Sequence, residues 1–164
     1  MIIGESLVGP GPNVAHVNTV LGPRDGPVGI AWATALATPR AGFAPFVAIA
    51  QPGVAVLPPT LIVNKAAIAN EAHSTLTWGA AQAGVARGVG QALEEGVIDR
   101  GHVGSLVLIA AVWVRPAADD KHAVYENNAA ATLRALRTGK AGGPGIDEFL
   151  AAARAPFNRF FEHA

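Results

Sequence analysis

The chain has 164 residues, of which 51% are hydrophobic and 15% are charged, a length and composition that exclude a disordered protein and predict one domain with a substantial core. Its 12 basic and 12 acidic residues leave zero formal charge, which argues against a nucleic-acid binder with a basic surface. The absence of cysteine excludes disulfides, thiolate nucleophiles and cysteine-ligated zinc sites.

The N-terminal quarter predicts two strands and a helix. The strands cover residues 2–8 and 13–21, on either side of a Gly-Pro-Gly-Pro turn, and the helix covers residues 27–38 between Pro27 and Pro39. Alternation in the second strand gives it two faces: one holds Val14, His16, Asn18 and Val20, and the other holds Ala15, Val17, Thr19 and Leu21. No basic segment precedes the first apolar residues, so we expect no secretory signal and a cytoplasmic protein.

Residues 43–63 carry no charge and are numerous enough to span a bilayer. The stretch contains four prolines, each of which lacks a backbone donor, so a membrane helix is not expected here. Two turns are predicted instead, at Pro52-Gly53 and at Pro58-Pro59, with strands over residues 43–51 and 60–63.

The second half of the chain predicts a long helix over residues 74–95, a strand over 105–114, a helix over 119–137, a hinge over 140–145 and a short tail helix. In the long helix, Trp78, Gln82, Val85 and Val89 follow one another at helical spacing and form one stripe. Interior glycines at 84, 88 and 90 each cost about 1 kcal/mol relative to alanine. They therefore predict a close contact, either with the sheet or with another subunit. The order of elements predicts an α+β fold in two layers.

Few motifs in the chain carry chemistry. The five histidines, at positions 16, 73, 102, 122 and 163, show no metal-ligand spacing, so no metal site is expected. The glycine pairs lack the strand-to-helix context of a nucleotide site, and no serine lies in a nucleophile elbow. What remains is a set of polar residues in apolar surroundings: His16, Asn18, Lys65 and Gln82. Taken alone, such residues more often have an ordinary surface, core or capping role, and none of them indicates a function.

An ordered set of short segments carries a resemblance to a known family. The segments are 4–9, 13–17, 22–24, 41–43, 59–61, 64–65, 79–86, 95–98 and 117–120. Taken in this order, they resemble the formaldehyde-activating enzyme family over roughly residues 3–140. The chain is then expected to be a single domain over residues 1–164, with a divergent tail at about 142–164.

The resemblance implies a two-layer α/β sandwich like the second domain of ribosomal protein S5, assembled as a homopentamer. It also implies a carbon–oxygen lyase of the hydro-lyase class, which acts in one-carbon metabolism and formaldehyde detoxification. Such an enzyme condenses formaldehyde with tetrahydromethanopterin to give methylene-tetrahydromethanopterin and water. The reduced pterin is a co-substrate, and neither a permanently bound cofactor nor a metal, nucleic acid or membrane partner is implied.

The resemblance also assigns residues. The family's general acid falls on His16, which would protonate the hydroxyl group that leaves as water. The substrate-binding positions fall on Asn18, Val47, Lys65, Ala67 and Gln82. Three of them differ from the family, which has aspartate, leucine and threonine where this chain has Asn18, Val47 and Ala67. The change at 18 removes a carboxylate that would favour a protonated imidazole, and the change at 67 removes a hydrogen bond to the ligand.

Three other functions remain open. The chain could be a non-catalytic homologue that binds or senses formaldehyde or a pterin, which the changes at Asn18 and Ala67 favour. It could perform the same chemistry on a different pterin or aldehyde. It could also be a purely structural oligomer, which its low surface charge favours.

Overall fold

The computed structural model describes residues 1–158. Its strands are β1 (Ile2–Val8), β2 (Ala15–Pro23), β3 (Phe46–Val47), β4 (Ile49–Gln51), β5 (Val54–Ala55), β6 (Thr60–Asn64) and β7 (Leu106–Trp113). Its helices are α1 (Pro27–Ala37), α2 (Glu71–Thr75), α3 (Gln82–Glu94), α4 (Lys121–Lys140) and α5 (Ile146–Ala153). A π-helical segment, Leu76–Ala81, joins α2 to α3, and 3-10 turns lie at Gly11–Asn13 and Arg100–Ser105.

Five strands form one sheet in the order β1-β2-β7-β6-β3. β6 and β7 run parallel, and the other neighbouring pairs of this sheet are antiparallel. β4 and β5 pair as a separate hairpin, whose turn at Pro52-Gly53 lies where the sequence predicted one, although β5 itself was not predicted. Gly53 has a φ of 82°, which a residue without Cβ adopts easily.

One face of the sheet is covered by α3 and α4, which pack on each other and bury the inward side chains of β2 and β7. Ala15, Val17, Thr19 and Leu21 alternate along β2 as buried residues. They belong to one core with Val85 and Val89 of α3 and Val124 and Leu136 of α4. This arrangement confirms the predicted two-layer α+β fold, whereas the likeness to ribosomal protein S5 stays a prediction.

The opposite face of the sheet carries helix α1 and is otherwise much less covered. Gly22 continues the outward face of β2 after Val20, and a Cβ added to it would lie 2.6 Å from the Val28 side chain of α1. Val28 is the one fully buried residue of that helix. His16, Asn18 and Val20 of β2 are only partly buried on this second face, which we call the open face.

The predicted long helix is present but is not one regular α-helix. It begins at Glu71 after the N-cap Asn70, whose side chain accepts a hydrogen bond from the His73 amide, and it passes through the π-helical segment before α3. The wider π turn rotates the residues before it relative to those after it. The predicted stripe is therefore wrong at its first position: Trp78 is 45% exposed, whereas Val85 and Val89 are fully buried.

The small residues of α3 pack against α4 of the same chain, not against the sheet or another subunit as expected. A Cβ at Gly84 would overlap the Tyr125 carbonyl oxygen, and one at Gly88 would lie 2.6 Å from the Ala129 carbonyl oxygen. A Cβ at Gly90 would meet no packing neighbour within 4 Å among the described residues outside its own helical turn. The prediction of a close contact thus holds at two of the three glycines.

Other boundaries differ modestly from the prediction. The strand expected over residues 43–51 is divided at Ala48, whose amide bonds the Thr60 carbonyl while its own carbonyl turns to accept from Val56. α4 begins after Asp120, which caps the amides of His122 and Ala123, and extends to Lys140. The tail helix is present as α5, while His163 and the end of the predicted tail lie outside the described residues.

Within residues 1–158, no helix has both the length and the apolar character needed to cross a bilayer.

Candidate active site

Four of the six predicted site residues belong to strands of the main sheet or follow one directly, and the strand register places them on its open face. Asn18 pairs with Ala111, which in turn pairs with Val63, and residues directly opposite one another share a face. Because side chains alternate between the two faces along a strand, His16, two positions before Asn18, and Lys65, two positions after Val63, lie on this face as well. Val47 pairs with Leu61, two positions before Val63, and so lies on the same face.

A carboxylate from the edge strand reaches the histidine. Glu5 on β1 is the register partner of Asn18, so it lies diagonally across from His16. The His16 Nε2 atom lies 2.8 Å from Glu5 Oε1. Because an ionised carboxylate only accepts hydrogen bonds, Nε2 carries the proton in this contact and Nδ1 is the nitrogen left to exchange a proton with a substrate.

The role of Glu5 was missed from the sequence, although its segment contributed to the family resemblance. The signal was the antiparallel pairing of the first two predicted strands, which brings position 5 opposite position 18 once the register is known. We expected the amide at Asn18 to leave the imidazole without an acidic partner. Glu5 supplies that partner from the neighbouring strand.

Asn18 itself binds the lysine of the site. Lys65 Nζ donates a hydrogen bond of 2.6 Å to Asn18 Oδ1. The amine is half-buried, and this acceptor is neutral. Burial lowers the pKa of Lys65 to about 8, and the Glu5 carboxylate opposes this shift only in part.

The imidazole responds to the same surroundings. Burial lowers the pKa of His16 below its ordinary value of 6.5, and the nearby Lys65 charge lowers it further, while the charge of Glu5 and its hydrogen bond raise it. Neutral imidazole therefore predominates at pH 7. The site combines an oriented, neutral histidine with a lysine that loses its proton at mildly alkaline pH, so it can both accept and donate protons near neutrality.

Gln82 and Ala67 are not part of the group formed by His16, Glu5, Asn18 and Lys65. Gln82 begins α3, accepts a hydrogen bond of 3.1 Å from the Ile49 amide and donates one of 2.6 Å to the Trp78 carbonyl oxygen. It thereby ties the β4–β5 hairpin to the helix. Ala67 lies in the loop after β6, where a Cβ at Gly42 would be 3.0 Å from its own Cβ. Within residues 1–158, the hydrogen bonds of the Gln82 side chain go to Ile49 and Trp78 and not to His16 or Lys65.

The buried His73 has a structural role. Its Nδ1 accepts from the Ala69 amide at 3.1 Å, and its Nε2 lies 2.9 Å from the Val114 carbonyl oxygen. The ring thus links the start of α2 to the end of β7. Across residues 1–158, no three histidine or acidic side chains lie close enough together to hold a metal ion.

Comparison with known proteins gives a consistent result. A family model described as formaldehyde-activating enzyme (Fae) matches residues 3–161, and so extends past position 142. The 5,6,7,8-tetrahydromethanopterin hydro-lyase of Methanosarcina barkeri is 40% identical over 159 residues, which cover 95% of this chain and 89% of that protein. The bifunctional enzyme Fae/Hps of Archaeoglobus fulgidus is 39% identical over 158 residues, 96% of this chain and 40% of the relative.

A further bifunctional enzyme Fae/Hps, from Methanothrix thermoacetophila, is 38% identical over 149 residues, 91% of this chain and 38% of the relative. The chain therefore spans about two fifths of these bifunctional relatives and most of the hydro-lyase. The match of a family model to nearly the whole chain decides the classification. The chain belongs to the formaldehyde-activating enzyme family.

Proposed function

We propose that this protein is a hydro-lyase that condenses formaldehyde with tetrahydromethanopterin to give methylene-tetrahydromethanopterin and water in one-carbon metabolism. Membership of the family and the activity named for the Methanosarcina barkeri relative support the reaction class. The observation that carries the proposal is the group formed by His16, Glu5, Asn18 and Lys65 on the open face. It supplies proton-transfer groups of the kind that the reaction needs.

The reaction requires three proton movements. The proton that a pterin amine loses on adding to formaldehyde passes through the neutral His16, at Nδ1, to the oxygen and gives the carbinolamine. Protonated His16 then acts as the general acid: it donates a proton to the hydroxyl group, the C–O bond breaks, and water leaves an iminium. The second pterin amine closes the ring and releases a proton, which replaces the one that His16 gave. Glu5 holds Nε2 and stabilises the transient imidazolium. Because burial lowers the pKa of His16, its protonated form is a strong donor.

Substrate positioning is assigned to Asn18, Val47, Lys65, Ala67 and Gln82 as pterin-contacting residues. The shared face of His16, Asn18, Val47 and Lys65 supports this assignment for four neighbouring positions. Gln82 acts in part through the Ile49 amide. The side-chain carbonyl oxygen of Gln82 accepts a hydrogen bond from that amide and so fixes the β4–β5 hairpin beside the site. Holding both reactants together supplies much of the acceleration. The pterin is a co-substrate, and no permanently bound cofactor takes part.

We further propose that the protein works as a homo-oligomer, a homopentamer in the family's pattern. α1 contains no charged residue, yet Ile30 is 69% exposed on it, and a helix that is apolar all round is normally buried. On β1, Ile3 and Leu7 are exposed on the same face as Glu5. This support concerns association through the open face, and the number of subunits rests on the family resemblance.

The test is a condensation assay followed by absorbance, in which the spontaneous reaction of formaldehyde with tetrahydromethanopterin is measured and subtracted. We expect a clear acceleration by the protein. No acceleration by folded protein would overturn the proposed function. Repeating the assay with other reduced pterins and folates would then show whether the same chemistry acts on a different co-substrate.

A second candidate function is a pterin- or formaldehyde-binding protein without turnover. The amide of Asn18, at the position where the family has a carboxylate, favours it. This alternative predicts that tetrahydromethanopterin raises the melting temperature of the protein while the condensation rate stays at the spontaneous value. Acceleration would exclude it.

A further inference from the structure

We propose that Lys65 is a covalent catalyst: its amine captures formaldehyde as an iminium and passes the one-carbon unit to the pterin. The proposal rests on the proposed function, because formaldehyde is the substrate of that reaction. It assigns to Lys65 a bond-forming role in addition to contact with the pterin.

The first support is the environment of the amine. Lys65 is half-buried and donates to an amide oxygen of Asn18, so deprotonation breaks no direct ion pair with a carboxylate. The other two lysines of the chain, Lys121 and Lys140, are exposed at the ends of α4. The chain therefore contains one lysine in a partly desolvated site and two in ordinary surroundings. Partial burial is a common way to activate a lysine nucleophile.

The second support is electrostatic. The groups that face Lys65 are Glu5 on β1 and His16 on β2, while Arg115 beyond β7 lies over the Trp113 ring at 6.0 Å. Burial outweighs the Glu5 charge and brings the pKa of Lys65 to about 8. At pH 7 about one Lys65 in ten is then neutral, compared with about one in 3,000 for a lysine in ordinary surroundings.

The third support is the neighbouring proton carrier. His16 is close enough for the Lys65 charge to lower the pKa of its imidazole, so the two groups act on each other within one site. An iminium forms only if a hydroxyl group leaves as water, and this requires an acid. The same histidine that serves the pterin reaction serves this step.

The capture step balances as follows. The neutral Nζ attacks the carbon of formaldehyde, the N–C bond forms, and the C=O π bond breaks. Transfer of a proton from nitrogen to oxygen through His16 gives the carbinolamine Lys65–NH–CH₂–OH. Protonated His16 then donates a proton to the hydroxyl oxygen, the C–O bond breaks, and water leaves. The nitrogen lone pair forms the C=N bond of a cationic Lys65–NH⁺=CH₂.

Transfer of the one-carbon unit to the pterin needs no further reactant. A pterin amine attacks the methylene carbon and loses a proton to His16, which gives an aminal. His16 returns that proton to Nζ, the bond between Nζ and carbon breaks, and neutral Lys65 leaves as the pterin iminium forms. The second pterin amine closes the ring and releases a proton, which replaces the one spent in the capture step. The sum is one formaldehyde and one pterin converted into the methylene derivative and one water.

Reductive trapping tests the capture step directly. The protein is treated at pH 7 with a low concentration of isotopically labelled formaldehyde and sodium cyanoborohydride, and peptides are mapped by mass spectrometry for N-methylation. We expect Lys65 to be labelled at least about ten-fold faster than Lys121 and Lys140, since its neutral fraction at pH 7 is larger. The α-amino group serves as an internal reference amine.

Two variants distinguish covalent catalysis by Lys65 from an effect of its positive charge alone. Asn18→Asp places a carboxylate against the amine, raises its pKa and slows labelling of Lys65 several-fold, with no change at Lys121 or Lys140. Lys65→Arg keeps the positive charge and forms no iminium, so its condensation rate falls at least about ten-fold. Circular dichroism and the melting temperature show that both variants fold.

The outcomes are distinct from those of the proposed function. Labelling of Lys65 no faster than of the exposed lysines overturns the proposal even if the wild-type protein accelerates condensation. So does a Lys65→Arg variant that condenses at the wild-type rate. If Lys65 is trapped rapidly but the wild-type protein does not accelerate condensation, the transfer to the pterin and the proposed function both fail. Trapping, acceleration and loss of rate in Lys65→Arg together support it.

Discussion

At the scale of single residues, the site is understood through pairs of side chains. Sequence reasoning singled out His16, Asn18 and Lys65 as polar groups at strand positions in apolar surroundings, and the family resemblance gave them their expected roles. The partner of His16 was not identified, because the role of Glu5 depends on the register between two strands, which the local pattern does not specify. Its carboxylate also offsets, in part, the effect of burial on the histidine.

Replacing Glu5 tests that pairing. In Glu5→Gln the carboxylate charge is lost, so the pKa of His16 falls further, and NMR titration of the ring protons measures the change. We expect the condensation rate to fall about ten-fold, a part of the roughly 10²–10⁴-fold contributed by general acid–base catalysis. The matched control is Glu126→Gln, which removes a carboxylate of α4 that pairs with Arg87 of α3 and leaves the His16 titration unchanged. An unaltered pKa of His16 in Glu5→Gln would refute the pairing.

Lys65 also makes a prediction about stability and pH. Its pKa is about 8 in the folded protein and 10.5 in ordinary surroundings, so below pH 8 the folded state bears the full cost of a partly buried cation. Lys65→Met removes this cost and stabilises the protein at pH 7 by about 1 kcal/mol or less, after allowance for solvent screening. The stabilisation by Lys65→Met shrinks between pH 8 and 10.5, because over this range the half-buried amine is neutral and wild-type stability rises with pH. Thermal melts across this range would contradict the account if the gain grew with pH.

At the scale of elements, the strands at residues 2–8 and 60–63 and the helix from Pro27 were predicted closely, since their periodicity and turn residues are clear. The π-helical segment was not, because an added residue in a helical turn leaves no local signature in propensity. Glycines 84, 88 and 90 signalled a close contact but not the partner, which is α4. The partner of a small-residue stripe depends on tertiary packing.

The glycines of α3 give a matched set of substitutions. Gly84→Ala and Gly88→Ala each place a methyl group against the α4 backbone and destabilise the fold by about 1–3 kcal/mol, despite the better helix propensity of alanine. Gly90→Ala meets no neighbour and stabilises the fold by up to about 1 kcal/mol. Urea denaturation measures all three. Equal effects at 84 and 90 would show that close packing of α3 on α4 does not explain these glycines.

At the scale of the whole molecule, the fold class followed from the order of elements, whereas the distribution of exposed apolar residues required the structure. The open face carries α1, whose apolar residues remain exposed in the isolated chain. This exposure favours a second copy of the chain over this helix, on the same face as the proposed site.

Light scattering tests this assembly. We expect the wild-type mass to be five times that of the 16.7 kDa chain, and Ile30→Glu to dissociate the oligomer because it buries an unpaired charge in the interface. Thr138→Glu, on the exposed surface of α4 on the other side of the sheet, is the control and leaves the mass unchanged. A monomeric wild-type protein at micromolar concentration would contradict the assembly. An intact Ile30→Glu oligomer would exclude α1 from the interface.

The central claim is that His16 transfers the proton in the condensation of formaldehyde with tetrahydromethanopterin. The most direct measurement compares the wild-type protein with His16→Ala in one absorbance assay, after subtraction of the spontaneous rate, with pterin binding followed in parallel by thermal shift. The account predicts a loss of about 10²–10⁴-fold in the catalysed rate while pterin binding persists. Turnover in His16→Ala at the wild-type rate would contradict it.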